Sequence, residues 1–249
     1  MDNVRVKSKI KVTSLANASI RRSIFEERNP RLEFEFEFVD AVDGRESAHD
    51  LLASELFDAS LPYTPGARGV AMTTYRLWTE IAQGDEIVTI AEDDAIFRPD
   101  FHEIRESIFR QYKNYVDFIA WGYNFDSVVR MGFFGGNVQC CTVFDQDAMR
   151  HSIDHFLADR EPVNLFRLME FYGLCAYSIS PVGAKFLLER CFPLKNENYP
   201  APGLGRTLQN YGIDIVMNQY YHEMLSYVSF PPLAISRNEH ESSSVQTNG

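Results

Sequence analysis

Nothing in these 249 residues approaches the run of about 18 apolar residues that a membrane-crossing helix needs. The basic opening MDNVRVKSKIKV is followed by no apolar stretch of the signal-peptide kind, so the cytoplasm is the default compartment. Cysteine is sparse: Cys140, Cys141, Cys175 and Cys191 form neither a C-x-x-C pair nor the regular spacing of a disulfide scaffold, and reduced thiols are expected. Positive charge is also short, with 24 basic against 35 acidic residues and a net −11. That balance excludes broad nucleic-acid contact, and adhesion to anionic lipid by charge alone. An anionic ligand must be met locally, by a few placed groups or a metal. Internal repeats and clear linkers are absent too, which predicts one domain over 1–249.

A 45% hydrophobic, 24% charged composition is ordinary for a globular chain, and this length supports a sizeable core without staples. SKIKVTSL reads as a strand, polar Asn17 to Ser19 as a loop, and Ile20, Ile24 and Phe25 as the apolar face of a helix. In RLEFEFEFVDAVDG, Leu32, Phe34, Phe36 and Phe38 alternate with acids, the pattern of a strand with one buried face. Weak periodicity over 46–63 predicts a short helix and then a loop through Pro62 and Pro65. After Gly69, the residues Val70, Leu77, Trp78 and Ile81 share a helix face that Gly84 ends. EIVTIA is a short β-branched run, hence a buried strand, and Pro99-Asp100 opens a helix striped by Phe101, Ile104, Ile108 and Tyr112. DFIAW, VQCCTVF and LCAYSIS are further strands. Ser180-Pro181 is a helix start, and IDIVMNQYYHEML predicts a late helix buried through Ile213, Val216 or Met217, Tyr220 and Met224. Alternating strand and helix in the first half predicts a Rossmann-type, mainly parallel α/β sheet flanked by helices. About 8–125 then form a nucleotide-binding half, and about 126–245 a less regular half.

EIVTIA runs straight into Glu92-Asp93-Asp94, at the strand end where such folds bind ligands. If strand geometry persists, Glu92 and Asp94 project together and Asp93 oppositely. Two carboxylates on one side make a hard-oxygen site for Mg²⁺ or Mn²⁺ with room for ligand phosphates; the alternative is a solvated acidic turn. Arg21 and Arg22 follow the first strand, where they either meet a pyrophosphate or face solvent. Asp43-Gly44 ends the second strand, as a ribose-binding carboxylate or an ordinary turn. Asp214 starts a late helix, where it either favours the helix dipole or acts in catalysis. His240, in a polar tail, is a candidate metal ligand closing over the site.

Several of these pieces, taken in order, resemble glycosyltransferase family 25, the bacterial lipooligosaccharide-biosynthesis transferases related to the collagen galactosyltransferase domains. The segments are SLANASIRR, FEFVDAVDG, GARGVAMTTYRLWTEI, IAEDDAIF, CAYSISPVGAKFLL, and a late stretch with Asp214 and FPPLAISRNEHESSS. The resemblance implies a GT-A-like fold and a UDP-hexose donor such as UDP-galactose or UDP-glucose. It further implies Mn²⁺ or Mg²⁺ at the acids, nucleotide or metal roles for Arg21, Arg22, Asp43, Glu92, Asp93 and Asp94, and inversion at the anomeric carbon. Inversion requires a base on the acceptor hydroxyl, and Asp214 is the candidate. The expected acceptor is an oligosaccharide or lipid-linked glycan of the cell surface, reached without a transmembrane segment at the inner face of the membrane. Where the family typically reads Gly-Glu-Ile-Gly-Cys-Ala and then Ser-His, this chain has Gly66 to Ala71 as GARGVA, then Thr73 and Thr74, so a carboxylate and an imidazole are missing. That departure keeps an inactive sugar-binding scaffold in play. A nucleotidyltransferase suits the acids too, but no Gly-rich, Lys-containing phosphate loop follows the first strand.

Overall fold

The computed structural model describes residues 5–30, 35–46 and 55–237. Its strands are β1 (Arg5–Val6), β2 (Ile10–Leu15), β3 (Phe36–Ala41), β4 (Glu86–Glu92), β5 (Ala95–Phe97), β6 (Phe118–Gly122), β7 (Val128–Phe133), β8 (Val138–Val143), β9 (Asn164–Glu170), β10 (Ala176–Ile179), β11 (Asn198–Ala201), β12 (Arg206–Gln209), β13 (Ser226–Phe230) and β14 (Ala234–Ser236). The α-helices are α1 (Ser19–Arg28), α2 (Pro65–Ala82), α3 (Phe101–Tyr112), α4 (Gln146–His151), α5 (Ile153–Ala158), α6 (Pro181–Cys191) and α7 (Ile213–Met217).

The α/β class expected from the sequence is what forms: one large sheet flanked by helices. Its main path runs β3-β2-β4-β10-β6-β13-β9-β7-β8, with β1, β5 and β14 attached beside it. Parallel pairing is concentrated in the N-terminal strands, where β2 lies between β3 and β4. β10 then inserts antiparallel between β4 and β6, β13 lies parallel to β6, and β13, β9, β7 and β8 pair antiparallel in turn, so the sheet is mixed where the sequence predicted a mainly parallel one. β4 is buried on both faces. Val88 and Ile90 join the core under α2 and α6, while Ile87 and Ala91 join the core that holds Phe25 of α1 and Phe101 and Phe109 of α3. Burial of β4 on both faces is why Ile87, Val88, Ile90 and Ala91 are all apolar rather than alternating with charges, with Thr89 the one polar residue among them. Buried polar atoms beneath it are satisfied in a chain: Arg105 donates to Thr89, Thr89 and Ser178 share a hydrogen bond of 2.7 Å, and Trp121 donates to Ser178.

Several local expectations change in context. Thr64 caps α2 by accepting from Ala67 N–H, and Pro65 stands in the first turn, so this proline opens the helix rather than lying in a loop. Gly69 sits inside that helix because a Cβ there would lie 2.4 Å from the Val42 carbonyl oxygen. In α1 only Phe25 is buried and Ile20 is 75% exposed, since the helix covers the sheet through one turn. Tyr112 likewise ends its stripe exposed. The late helix stops at Met217, and a short 3-10 turn, Tyr221–Glu223, follows. Leu32, Phe34 and most of the short helix expected after residue 46 lie outside the described residues, and no helix forms over 55–63. None of the described helices is long and apolar enough to cross a membrane.

Candidate functional site

The acids sit where β4 leaves the sheet. Glu92 is the last residue of that strand, and its N–H donates to the Cys175 carbonyl at 2.9 Å. Asp93 and Asp94 form a turn before β5, so the extended geometry needed for strict alternation ends at Glu92. Each acid consequently meets its own environment. Asp93 is buried and fully engaged: Arg21 of α1 pairs with one oxygen, its Nε at 2.9 Å, and Ser14 of β2 donates to the other at 2.7 Å. Asp94 accepts from the Ser236 hydroxyl at 2.8 Å through Oδ2, while its Oδ1 is enclosed without a hydrogen-bond partner. β14 brings Ser236 there by pairing antiparallel with β5, placing Ser236 opposite Ala95.

Glu92 keeps an accessible edge in a slot of about 50 Å³ lined by Thr13, Ala41, Val70, Thr73, Thr74, Leu174 and Tyr177. Burial first, and then the charges of Asp94 and Asp93, push its carboxyl far above the ordinary carboxylate range. Burial also raises Asp94, against the hydrogen bond from Ser236. Both groups therefore resist ionisation in the absence of a counter-charge beyond Arg21.

Asp214 approaches from the other half of the chain. It lies in the first turn of α7, with Oδ2 accepting from Gly173 N–H and Oδ1 from Ile215 N–H, each at 3.1 Å. Burial lifts its proton affinity, these two N–H donors oppose the rise, and the charge of Asp126 adds to it. Gly173 has φ +78°, and a Cβ there would lie 2.4 Å from the Asn124 side chain, so the turn accepts only glycine. The loop that begins with Gly173 continues through Leu174, which lines the Glu92 slot, to Cys175, which receives the Glu92 N–H. One short loop thus ties Asp214 to the end of β4, and the charge of Asp214 contributes to the rise of Glu92.

The remaining sequence candidates divide. Arg21 joins the acid run. Arg22 instead reaches Asp40 at 2.5 Å, donates to the Ser14 carbonyl at 3.3 Å and lies over the Phe38 ring. Asp43 accepts from Arg45 N–H at 2.9 Å in the loop after β3, an Asx-type turn beside the start of α2. His240 lies outside the described residues. Sequence reasoning passed over Ser14, Asp126, Gly173 and Ser236, none of which carries a local signal of its own. In the altered stretch, Val70, Thr73 and Thr74 do line the slot, whereas Arg68 turns away to the Leu61 carbonyl and the Phe57 ring.

The feature here that suits a cation is the enclosed, unpartnered Oδ1 of Asp94, next to the raised carboxyl of Glu92. Mg²⁺ and Mn²⁺ are commonly held through one or two carboxylates plus ligand phosphates, and the unpartnered Asp94 oxygen is the kind of atom such an ion satisfies. No group of three His, Cys, Asp or Glu converges among the described residues, so a closed protein cage is not formed there. The larger cavity, about 590 Å³, lies away from the acids between Arg28, Phe97, Leu157 and Arg160.

The fold is a mixed α/β sheet flanked by helices, with a carboxylate turn at the end of a central strand. The model of glycosyltransferase family 25 (LPS biosynthesis protein) matches residues 7–200, more than three quarters of the chain, and the chain belongs to that family. A comparison with curated proteins finds no match.

Proposed function

We propose that this glycosyltransferase moves a hexose, galactose or glucose, from a UDP-sugar to a glycan acceptor of the cell surface, with inversion at the anomeric carbon. The observation that carries the reading is the pair of proton-hungry carboxylates Glu92 and Asp94, one with an unsatisfied oxygen, beside an internally neutralised Asp93. Glu92 and Asp94 hold Mn²⁺ or Mg²⁺, with His240 as a further ligand. When bound, the ion supplies positive charge to the diphosphate as it departs. Arg21 holds the acidic turn in place through Asp93, and Arg22 and Asp43 flank the approach of the nucleotide.

Asp214 takes the proton of the acceptor hydroxyl while that oxygen forms its bond to the anomeric carbon and the carbon–oxygen bond to UDP breaks. Burial suits it to this role, because a raised proton affinity makes a carboxylate a better base near neutral pH. The nucleotide half, about 8–125, and the acceptor half, about 126–245, share one sheet, in which β10 lies between β4 and β6. A lipopolysaccharide or other lipid-linked acceptor places the enzyme at the cytoplasmic face of a membrane. A scaffold that binds sugar without turnover is the competing reading, favoured by Thr73 and Thr74 in the slot.

Thermal unfolding against a panel of nucleotide sugars, each with Mn²⁺ and with EDTA, tests the proposal. A ligand at 100 times its dissociation constant adds about 2.7 kcal/mol, worth roughly 5–10 °C at this chain length. A shift with one UDP-hexose that needs metal and is lost in Asp94→Asn, together with metal-dependent hydrolysis, supports an enzyme. Binding without turnover supports the scaffold. Neither binding nor hydrolysis of any UDP-sugar refutes both readings of the donor.

A further inference from the structure

The two edges of the large sheet are built differently. β3 closes one edge, and Glu37 and Asp40 stand on it with Glu35 just before. Charges placed this way oppose pairing with a further strand. β8 closes the other edge with VQCCTV, six residues without charge or proline. Among the described residues its only strand partner is β7, so its outer backbone groups face no further strand. The two most exposed large apolar side chains among the described residues are on the same hairpin, Val143 at 83% and Phe134 at 81%, and Val138 beside them is 52% exposed. Phe134, Gly135 and Gly136 all have positive φ, which makes the hairpin turn tight and leaves the phenyl ring outside.

The occupant of this edge is narrowed by charge. Arg130 is the one charged side chain between Val128 and Val143, and it is already paired with Glu170 and bonded to Gln139. Without a spare cation the hairpin has nothing to offer an anionic lipid surface. With a net charge of −11, two copies of the chain repel over most of their surfaces, but along β8 no like charges meet. A strand is also self-complementary in one respect. A two-fold axis through an antiparallel pair sets a residue opposite its own copy, and the central residues of β8 are Cys140 and Cys141. Both are free thiols, Cys141 exposed and Cys140 half-buried.

We propose that β8 is a homodimerisation edge, through which two copies of this chain pair antiparallel and continue the sheet across a two-fold axis. A six-residue edge by itself buries less than the roughly 1,200 Å² of a standard interface, so the dimer is weak and concentration-dependent. The proposal is independent of catalysis, because β8 contributes nothing to the site around Glu92.

Analytical ultracentrifugation of the full chain over the micromolar range, under reducing conditions, is the first test. Self-association to a dimer is expected, and its loss in Val138→Lys/Val143→Lys, with an unchanged melting temperature, supports the edge. Copper phenanthroline under air then reads the register: two opposed thiols lose two protons and two electrons to the oxidant and form an intermolecular disulfide. A cross-linked dimer that disappears in Cys140→Ser/Cys141→Ser is expected. A monomer at every concentration, or a dimer indifferent to the lysine substitutions, overturns the proposal. Monomeric protein that binds neutral phosphatidylcholine vesicles, and loses binding in the lysine variant, overturns it in favour of a lipid surface.

Discussion

Replacing Arg21 by Met keeps most of its aliphatic stem and removes the charge that faces Asp93. Asp93 is 7% exposed and would retain only the Ser14 hydrogen bond. Removing one partner of a buried ion pair costs about 3–5 kcal/mol, but the Arg21 side chain is 34% exposed, so water compensates in part and about 2–3 kcal/mol is the reasonable figure. At this chain length, 1 kcal/mol moves the melting temperature by about 2–4 °C, giving a fall of roughly 5–10 °C in EDTA. The assay is a double-mutant cycle by thermal unfolding. Asp93→Asn, which leaves the amide able to accept from Ser14, should recover much of the loss in the Arg21→Met background while destabilising the wild-type chain. A coupling of at least about 1 kcal/mol is expected for groups in direct contact. Mn²⁺ should also narrow the gap between wild type and Arg21→Met, since a second cation offsets the same charges. An Arg21→Met protein melting within about 1 °C of wild type, or one that Asp93→Asn does not rescue, would show that the acid run needs no internal counter-charge.

The raised Glu92 makes stability depend on pH with a definite sign. Its carboxyl is pushed up to about 8, above its value of 4.5 in the unfolded chain, so the folded state holds the proton more tightly and metal-free stability falls as pH rises between these values. Unfolding in EDTA at pH 5 and at pH 8.5 checks this, and Glu92→Gln should flatten the profile; affinity for Mn²⁺ should rise over the same interval, because the ligands must lose their protons. Asp214→Asn should lower kcat at least a hundredfold with little change in the affinity for UDP, and an equal loss in both would assign it to donor binding instead. Gly69→Ala would gain about 1 kcal/mol from helix propensity alone, yet the new Cβ meets the Val42 carbonyl 2.4 Å away. A net loss of about 1–3 kcal/mol in urea denaturation is expected, and a neutral or stabilised variant would contradict the close approach.

Much of the strand and helix content was legible because its signals are local. The apolar run EIVTIA, the Ser180-Pro181 start and the alternation through Phe36 and Phe38 each act within a few residues of where they are written. Signals failed where neighbours decided. The late helix carries helical spacing as far as Met224, but the chain turns after Met217 and completes its burial in a 3-10 turn. β9 and β13 escaped notice as well, although β9 begins at Asn164 and β13 ends at Phe230, both in paired positions of the sheet interior. Their place depends on pairing with each other, which no short window contains.

The sequence by itself determined that a buried strand would end in three carboxylates at the binding edge of an α/β sheet. Local propensity and hydrophobic period fix both the strand and its end. Only the tertiary structure decided what each carboxylate became. Asp93 is neutralised by Arg21 from 72 positions away, Asp94 is met by Ser236 from 142 positions away, and Glu92 is left beside the loop that holds Asp214. The three are adjacent in the chain and chemically alike. Their proton affinities and partners differ because electrostatics and desolvation act through space, on neighbours that folding brings in from both ends of the chain.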